Sequence, residues 1–422
     1  MSENMYIARS SHKDARERGE YGGAVTSILQ GALETGKIDG VVTVRAKNGS
    51  RYAGVPVLIT TPEELIETAG SLHCSTPNIS RFVKEYLDGA STMKLAVVGK
   101  PCDIRAIIEL QKRERIDADN VILIGLNCTG TMSPTTAKRM FIEEFEVDPD
   151  SIMREDIDEG MLTVVLRDGT KKSRDLTELE EKGYGRRENC RRCDINIPRM
   201  ADLACGKWGA EDEEKKSTFI EICSEKGKNL MDETIEKGFI EVKEPHKESL
   251  QRRKKKDEAE IERAEKWKTR DFRIFQELNQ PERLNYWIGE FNKCIKCYGC
   301  RDACPICHCK ECILEAKRGF VDKGEIPPDI MFPLTRLSHV ADSCVNCGQC
   351  QDVCPMELPL SLLCSFLNRE LAAIFGYTPG IDIEERPPLT TASEGELQIQ
   401  DTFLDIPSIT ENGELNRLLH KC

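Results

Sequence analysis

Two stretches of the sequence repeat the same cysteine spacing, C-x2-C-x2-C-x3-C-P. This spacing is typical of chains that hold two 4Fe-4S cubanes, because the first three cysteines of a run ligate one cluster and the fourth ligates the other. Zinc sites pair two Cys-x2-Cys knuckles instead, so zinc is the weaker interpretation. The repeat therefore predicts two 4Fe-4S clusters. The expected ligands are Cys294, Cys297, Cys300 and Cys354 for cluster one, and Cys344, Cys347, Cys350 and Cys304 for cluster two.

Three more cysteines, Cys307, Cys309 and Cys312, lie between the two runs. Residues 304–308 also match the C-x-x-C-H pattern of covalent haem attachment. Haem attachment needs an exported chain, and Cys304 is already assigned to a cubane, so we do not expect haem. The extra thiols are either a partial metal site or packing residues, since a free cysteine packs as a small hydrophobe. Both interpretations stay open.

The 20 cysteines belong to a chain of 422 residues with a net charge of −13. Disulfide frameworks are typical of short secreted chains, and residues 1–20 lack the apolar core of a signal peptide. The best candidate for a membrane span, residues 358–376, carries Asn368, Arg369 and Glu370 and predicts an amphipathic helix instead. We therefore expect a cytoplasmic protein with reduced thiols and no membrane span. Its acidic balance also argues against a nucleic-acid partner.

Residues 20–145 alternate between short apolar runs and helical patterns. Residues 94–99 and 121–126 are continuous apolar runs, as expected of strands buried on both faces. Helical patterns follow them over 104–112 and 135–145. The alternation predicts an α/β domain with a largely parallel sheet. Further predicted elements are a helix over 24–35, a helix that begins after Thr61 as its N-cap, and strands over 40–46, 55–60 and 161–167.

Four other cysteines predict a third cluster. Cys102 and Cys128 each follow one of the buried strands, and open α/β sheets bind ligands beyond the carboxyl ends of their strands. Cys190 and Cys193 add a Cys-x2-Cys pair. Four thiols from three loops can converge on one cubane, with structural zinc and scattered core thiols as the alternatives. Four arginines lie next to the last cysteine pair, and three interpretations of them stay open: they offset the thiolate charge, they bind an anion, or they form an exposed basic loop. They are Arg186, Arg187, Arg191 and Arg192.

Nucleotide-binding motifs give little support to a standard cofactor site. The sequence contains neither a G-x-G-x-x-G after a strand nor a Walker A loop, so a nicotinamide or nucleoside-triphosphate site is not expected. Gly22 and Gly23 precede the first predicted helix and could admit a phosphate at its N-terminus.

Six short motifs occur in a fixed order along the first ~245 residues. They are Glu20-Tyr21-Gly22-Gly23-Ala24-Val25-Thr26, Ala69-Gly70-Ser71, Gly99-Lys100-Pro101-Cys102, Leu126-Asn127-Cys128, the pair Cys190 and Cys193, and Ala201-Asp202-Leu203-Ala204 before Gly206. With these motifs the segment resembles the coenzyme F-420 hydrogenase/dehydrogenase beta-subunit family. Members of that family bind FAD and one 4Fe-4S cluster in this domain and exchange electrons with the deazaflavin coenzyme F-420.

The resemblance implies residue roles in this chain. It places the third cluster on Cys102, Cys128, Cys190 and Cys193, and flavin contacts on Tyr21, Gly22, Gly23, Ala24, Val25, Thr26 and Ser71. One departure concerns the loop after Ser71, where many relatives have Lys-Tyr and this chain has Leu72-His73-Cys74.

The downstream pair of cysteine runs is similar to that of the formate dehydrogenase beta subunits of methanogens, whereas hydrogenase beta subunits look shorter and lack it. The resemblance implies an electron-transfer subunit with FAD, three 4Fe-4S clusters and coenzyme F-420 as substrate. Formate would be oxidised by an alpha subunit with a molybdenum or tungsten pterin, because nothing in this chain resembles that subunit. The anionic tail of coenzyme F-420 needs local positive charge on an acidic chain. The candidates for that charge are Lys100, Arg186 and Arg187.

Two other functions are compatible with the same features. The first is an iron–sulfur flavoprotein adaptor that delivers electrons to another complex such as heterodisulfide reductase. The second is an accessory protein of sulfite or nitrite reduction, which predicts sirohaem in the protein or in its partner.

The predicted organisation has four parts. They are an FAD- and cluster-binding first domain over 1–245, a charged helical linker over 246–285, a ferredoxin-like segment with two clusters over 286–378 and an extended tail over 379–422. Within the linker, residues 251–270 mix charges of both signs and predict a solvated helix or linker. The remaining cysteines for which we expect packing or surface positions are Cys205, Cys223, Cys364 and Cys422.

Overall fold

The computed structural model describes residues 4–75, 77–211, 216–319, 321–327 and 330–390. Residues 391–422 of the predicted tail, including Cys422, lie outside this range. Over the described residues the chain forms eleven strands: β1 (Met5–Ser10), β2 (Gly40–Ala46), β3 (Gly54–Ile59), β4 (Leu95–Gly99), β5 (Val121–Leu126), β6 (Ile152–Asp158), β7 (Met161–Leu166), β8 (Lys171–Asp175), β9 (Leu203–Gly206), β10 (Thr218–Ile222) and β11 (Ile240–Lys243).

The α-helices of the same residues lie before, between and after these strands. They are α1 (Lys13–Arg18), α2 (Ala24–Glu34), α3 (Ile79–Tyr86), α4 (Pro101–Gln111), α5 (Pro134–Glu143), α6 (Leu176–Glu181), α7 (Glu188–Arg191), α8 (Glu225–Glu236), α9 (Lys247–Glu277), α10 (Gln280–Phe291), α11 (Gly299–Asp302), α12 (Met331–Ser338), α13 (Gln349–Asp352) and α14 (Leu360–Phe375). None of the helices in the described residues combines the length and the apolarity needed to cross a bilayer.

The larger sheet has the strand order β11-β1-β10-β9-β5-β4-β2-β3. Its central strands β2, β4, β5 and β9 run parallel, with Val97 opposite both Val42 and Leu123. Antiparallel pairs extend the sheet at both edges. The predicted α/β class is confirmed, and its parallel strands form the centre of the sheet.

Helices cover both faces of this sheet, and the central strand β4 is apolar at every position. Ala96 faces a layer that contains Ile28 of α2 and Leu230 of α8. Val97 faces the opposite layer, which contains Ile107 of α4 together with residues of α3. Alternate side chains of a strand point to opposite faces, so a strand covered on both sides needs the continuous apolar run that the sequence shows.

One predicted helix is much shorter than expected. The segment after Thr61 forms a 3-10 turn over Glu63–Thr68, and Pro62 rather than Thr61 occupies its N-cap position. Leu65 is the buried residue of this turn. A single buried side chain gives too little packing to offset the unfavourable nucleation of an α-helix, so the chain continues into a loop.

A three-stranded antiparallel sheet, β6-β7-β8, lies beside the main sheet. Leu162 and Val164 of β7 pack against Phe141 of α5 and against Phe145. The sheet is therefore held by one apolar face, and β6 carries charged residues towards the first domain's loops.

The charged linker is largely one helix, α9, of 31 residues. Residues 251–270 are helical, as predicted, but they are not solvated on every side. Arg253 forms a buried ion pair with Glu221 of β10, and Phe275 stacks on Trp287 of α10 and on Phe366 of α14, with centroid distances of 5.7 and 4.1 Å. The helix thus packs against the first domain at one end and the ferredoxin-like segment at the other.

The ferredoxin-like segment also lies directly against helices α3 and α4 of the first domain. Ser80 Oγ donates to Pro305 O at 2.7 Å and Lys84 Nζ to Cys307 O at 2.6 Å. Further along the chain, Gly380 N donates to Glu109 Oε1 at 2.7 Å. These hydrogen bonds hold the first cysteine run against α3 and the residues after the second run against α4.

Candidate metal centres

The first-domain cysteines are assembled by loops at the carboxyl end of the parallel strands. Cys102 lies in the first turn of α4 after β4, and Cys128 follows β5. The loop of Cys128 is held to the loop after Cys193 because Cys128 N donates to Asn196 O at 3.0 Å. Burial, together with the adjacent Cys190 and Cys193, raises the pKa of Cys128 to about 12.

The other thiols of this group show the same neighbourhood. Burial raises the pKa of Cys102, and Cys128 and Cys190 are among the charged neighbours that raise it further. Burial and the nearby Cys190 raise the pKa of Cys193 to about 11. The structure therefore brings together all four cysteines that the sequence proposed for a third cluster.

Lys100 lies beside these thiols as part of the turn from β4 to α4. Its Nζ is 2.5 Å from Asp103 Oδ2, and the Asp103 side chain also accepts from Lys100 N in a capping box. Burial lowers the pKa of Lys100, but Asp103 and Cys102 raise it by more, so the net shift is upward. A charged ammonium thus faces the thiol group and is paired with a carboxylate.

The arginines around Cys190 are packed inside the protein and do not form an exposed loop. Arg186 is 3% exposed and pairs with Glu180 at 2.6 Å and with Glu260 at 3.5 Å. Arg187 pairs with Asp352 of α13 and donates to Cys347 O at 3.4 Å. An anionic coenzyme tail would have to displace these ion pairs to reach either guanidinium.

The next two arginines fasten this loop to the linker helix. Arg192 Nη1 lies 2.5 Å from Asp271 Oδ2, and its Nη2 donates to Asn189 Oδ1 at 2.6 Å. The Arg191 guanidinium lies 5.3 Å from the ring centre of Trp267. Cys190 and Cys193 are therefore held in place by contacts with α9.

The cysteines assigned to cluster one lie next to one another. Burial raises the pKa of Cys300 to about 12, with Cys294 and Cys297 among its charged neighbours. Burial also raises the pKa of Cys294, and Cys354 from the second run is the first thiol among its neighbours. The fourth cysteine of the second run thus joins the first three of the first run, as the spacing predicts.

Cluster two has the reciprocal arrangement. Burial raises the pKa of Cys347 well above its usual range, and its thiol neighbours include Cys350, Cys304 and Cys344. The ligand assignments themselves stay predictions, whereas the grouping of the side chains is a feature of the structure.

The backbone repeats between the two runs. Lys296 and Tyr298 have φ of 48° and 64°, and the equivalent Asn346 and Gly348 have φ of 54° and 76°. Left-handed residues between successive cysteines turn amide groups towards the thiols: Lys296 N and Gly299 N donate to the sulfurs of Cys294 and Cys297 at 3.5 and 3.4 Å. Non-glycine residues adopt this conformation at a conformational cost, so its repetition points to a ligand-binding loop.

A cavity of about 60 Å³ lies between the runs. Within the described residues, no three His, Cys, Asp or Glu side chains are grouped tightly enough to bind a single metal ion. The thiols are instead spread around the cavity wall, which fits a cubane because each cysteine ligates a different iron atom. The cysteines on this wall are Cys294, Cys300, Cys304, Cys344, Cys347, Cys350 and Cys364.

The three groups of thiols are contiguous. Cys102, Cys304 and Cys347 pack on one small apolar cluster that includes Ile306 and Val345, and Cys102 is the first charged neighbour of Cys347. Cys350 is in turn a neighbour of Cys300. Cluster two would therefore lie between cluster one and the first-domain cluster.

Cys364 of α14 is buried in the apolar cluster that joins α14 to α9, as expected of a packing residue. Sequence reasoning missed that it also lines the cavity together with Cys344 and Cys350. The Cys364 side chain lowers the pKa of Cys344. Its sequence signal was only a cysteine on the apolar side of an amphipathic helix, which does not distinguish a site residue from the core. Cys205 is a core residue and Cys223 is exposed, as expected.

The three cysteines between the runs are near one another. Cys309 is exposed at the surface. Its partial burial has the largest effect in raising the pKa of its thiol, and the neighbouring Cys307 and Cys312 raise it further. Cys312 packs against Tyr298 and Leu314. Both the partial metal site and the packing interpretation remain predictions.

The residues predicted to contact flavin lie at the start of α2. Gly22 and Gly23 have φ of 78° and 68°, and a Cβ at Gly23 would lie 2.1 Å from Ala15 O. These glycines are therefore required by close contacts of the chain with itself. Tyr21 Oη donates to Asp156 Oδ2 at 3.4 Å, and α2 begins directly after Gly23 with Ala24, Val25 and Thr26.

The Ser71 loop meets the first motif through an ion pair. Burial raises the pKa of Glu20, but the neighbouring His73 and Ser71 side chains lower it by more, and the net pKa is about 2. His73 Nε2 lies 3.4 Å from Glu20 Oε2. Burial lowers the pKa of His73, but Glu20 raises it by more. The residue that departs from the family pattern thus joins the two predicted flavin segments.

Comparison with protein families assigns the chain to a known group. Residues 5–82 match the model "Coenzyme F420 hydrogenase/dehydrogenase, beta subunit N-term", and residues 92–248 match the C-terminal model of the same subunit. Residues 290–358 match a 4Fe-4S dicluster domain. The chain belongs to the coenzyme F-420 hydrogenase/dehydrogenase beta-subunit family.

Within this family, the chain is similar over most of its length to beta subunits of formate dehydrogenases. The F-420-dependent formate dehydrogenase subunit beta of Methanocaldococcus jannaschii is 45% identical over 88% of this chain and 95% of its own length. The F-420-dependent formate dehydrogenase 1 subunit beta of Methanococcus maripaludis is also 45% identical, over 92% of this chain and 98% of its own length.

A solved structure shows the same fold. A chain of the F-420-reducing [NiFe] hydrogenase complex from Methanosarcina barkeri superposes with a TM-score of 0.55 at 20% identity. The match covers 64% of this chain and 92% of that chain.

Proposed function

We propose that this chain is the beta, electron-transfer subunit of a coenzyme F-420-dependent formate dehydrogenase. The observation that carries the proposal is the continuous line of three cysteine groups, from Cys354 through Cys347 to Cys102, beside the loops that resemble a flavin site. Similarity to formate dehydrogenase beta subunits over most of the chain supports formate as the electron source.

The chemistry balances across two subunits. A partner with a molybdenum or tungsten pterin would oxidise formate to carbon dioxide, a proton and two electrons. Coenzyme F-420 would take up two electrons and two protons, of which the second proton would come from water. FAD, when bound, supplies the conversion between one-electron and two-electron chemistry. This chain would bind the cofactors, hold them in sequence and keep water from the thiols.

The residues would divide these tasks. Cluster one and cluster two would be held by the two cysteine runs, and the third cluster by the first-domain thiols. The turn of Glu20 and the Ser71 loop, joined by His73, would form the flavin pocket. Flavin contacts are proposed for Tyr21, Gly22, Gly23, Ala24, Val25, Thr26 and Ser71. Positive charge for the coenzyme tail is proposed for Lys100, Arg186 and Arg187, each of which would have to exchange its present carboxylate partner for the tail.

The test is formate-driven reduction of coenzyme F-420 by the complex purified without oxygen and reconstituted with FAD. We expect bleaching of the coenzyme absorbance, with loss of bleaching in Cys190→Ser and no loss in the matched exposed-thiol variant Cys223→Ser. Intact clusters and flavin without any bleaching would contradict the proposal. That result would leave the adaptor function, with heterodisulfide reductase as one acceptor to assay. The cytoplasmic location stays a prediction.

A further inference from the structure

Arg336 of α12 is a buried cation in the wall of the cluster cavity. Its side chain is 9% exposed and lines the cavity together with the cysteines of both runs. Its Nη2 donates to Cys300 O at 3.4 Å, and its guanidinium faces the Cys304 side chain. Its Nε is buried and has no hydrogen-bond partner in the structure.

The pairing of Arg336 differs from that of other buried arginines. Arg186 pairs with Glu180 and Arg253 pairs with Glu221, but in the described part of the chain no carboxylate lies within ion-pair distance of Arg336. A buried charge without a partner is strongly destabilising. The titratable side chains nearest to the Arg336 guanidinium are thiols, chiefly those of Cys304 and Cys300.

Arg105 of α4 repeats this arrangement on the other side of cluster two. It is 4% exposed and donates to Pro379 O at 2.7 Å and to Val345 O at 3.3 Å. Again no carboxylate of the described residues forms an ion pair with it. Arg105 is a charged neighbour of Cys193 in the first domain and of Cys344 in the second run.

We propose that Arg336 and Arg105 are the counter-ions of cluster two and make it the most readily reduced cluster of the three. The proposal rests on the proposed function, because it requires the clusters. Addition of one electron adds one negative charge to a cubane, and a cation in a medium of low dielectric constant stabilises that charge.

The other clusters have weaker compensation. Lys100 beside the first-domain thiols is already neutralised by Asp103. Cluster one shares Arg336 with cluster two, and its own buried cation, Lys296, donates its Nζ to Val321 O and lies over the rings of Tyr298 and Phe332. The electron supplied by formate oxidation would therefore rest on the central cluster before it moves to the first domain. Arg336 and Arg105 are positioning residues in this scheme, since they tune the electron carrier and do not touch the substrate.

The experiment is a redox titration of the purified complex followed by electron paramagnetic resonance. Signals are assigned with Cys297→Ser for cluster one and Cys347→Ser for cluster two. In Arg336→Gln we expect the equilibrium constant for one-electron reduction of cluster two to fall about tenfold. This corresponds to a reduction potential lower by about 59 mV, and the potential of cluster one should shift by less. Arg336→Lys keeps the charge and should stay within about threefold of the wild type. The exposed, carboxylate-paired Arg318→Gln is the matched control and should not shift.

The outcomes separate the two proposals. An unchanged cluster two in Arg336→Gln, or a cluster two that is not the most readily reduced in the wild type, contradicts the counter-ion role while iron content stays full. If Arg336→Gln loses iron, retention of iron and potential in Arg336→Lys supports a charge requirement, and equal loss in both variants contradicts it. Absence of the clusters from the wild-type chain would instead refute the proposed function.

Discussion

The two groups of cysteines in this protein are brought together in different ways. In the ferredoxin-like segment the ligands of each run lie on one short loop, and the left-handed pairs Lys296–Tyr298 and Asn346–Gly348 repeat the loop geometry. In the first domain Cys102, Cys128 and Cys190 come from three separate segments, namely the first turn of α4, the loop after β5 and the short helix α7. The first kind of site depends on local backbone geometry, whereas the second depends on the sheet and on the helices that hold its loops.

The largest effect that distinguishes the two groups is expected from removal of one ligand. Cys190→Ser should lose about four of about twelve irons and lower formate-dependent reduction of coenzyme F-420 by more than about 100-fold, since even residues that only support a metal ligand contribute 10–100-fold. The clusters of the ferredoxin-like segment should keep their resonance signals. Iron analysis and spectroscopy of the variant check this, and a full iron content in Cys190→Ser would show that the first-domain thiols hold no cluster.

A second change tests the contact between the two regions. Glu109 is fully buried and receives hydrogen bonds or ion pairs from Lys112, Arg113, Tyr377 and Gly380. Glu109→Ala leaves the partner cations without a carboxylate, so we expect the free energy of unfolding to fall by about 3–5 kcal/mol. Denaturant unfolding without oxygen measures it.

The matched control for Glu109 is the partly exposed pair of Arg81 and Glu85. Glu85→Ala should lower the free energy of unfolding by about 1 kcal/mol or less. Equal effects of the two substitutions would mean that the contact between α4 and the C-terminal residues does not stabilise the protein.

A third substitution, at Asp202, weakens the sheet that supports the first-domain cysteines and leaves the ferredoxin-like segment unchanged. Asp202 Oδ2 accepts from Leu123 N at 2.7 Å, and Oδ1 accepts from Ser224 Oγ, so this carboxylate ties the start of β5 to β9. Asp202→Ala should lower the free energy of unfolding by about 1.5–3 kcal/mol because buried hydrogen bonds to a charged group are lost. Iron should be lost from the first domain before the ferredoxin-like segment, and loss in the opposite order would contradict the dependence on the sheet.

The smallest effect is expected from pH at the predicted flavin pocket. Glu20 raises the pKa of His73 above its usual 6.5 despite burial. The pair therefore contributes stability that is fully present below pH 6.5 and is lost as pH rises through the folded-state pKa. His73 is partly exposed, so the contribution should be under about 1 kcal/mol. The difference in unfolding free energy between wild type and His73→Gln should shrink as pH rises; a difference that grows would reverse the assigned sign.

The sequence predicts the two sites unequally, for a physical reason. The runs that contain Cys294 and Cys344 carry their geometry in local spacing, so their grouping follows from the sequence alone. The first-domain group follows from the position of Cys102 and Cys128 after buried strands, which is an argument from sheet topology. The parallel centre of the sheet was accessible in the same way, because β4 is apolar throughout.

Other features depend on contacts between distant residues and could not be predicted. Arg186 and Arg187 show only as basic residues in the sequence, and their carboxylate partners come from α6, α9 and α13. Cys364 gives no signal until α14 packs beside the second run. The Thr61 segment has the sequence of a helix start but lacks the buried side chains that would sustain an α-helix.

The most direct test of a continuous cofactor chain is iron, sulfide and flavin analysis of the native protein purified without oxygen. Three cubanes and a flavin predict about twelve irons and one FAD per chain. About eight irons would remove the first-domain cluster from the account, and zinc in place of iron, or a protein without flavin, would contradict the central claim.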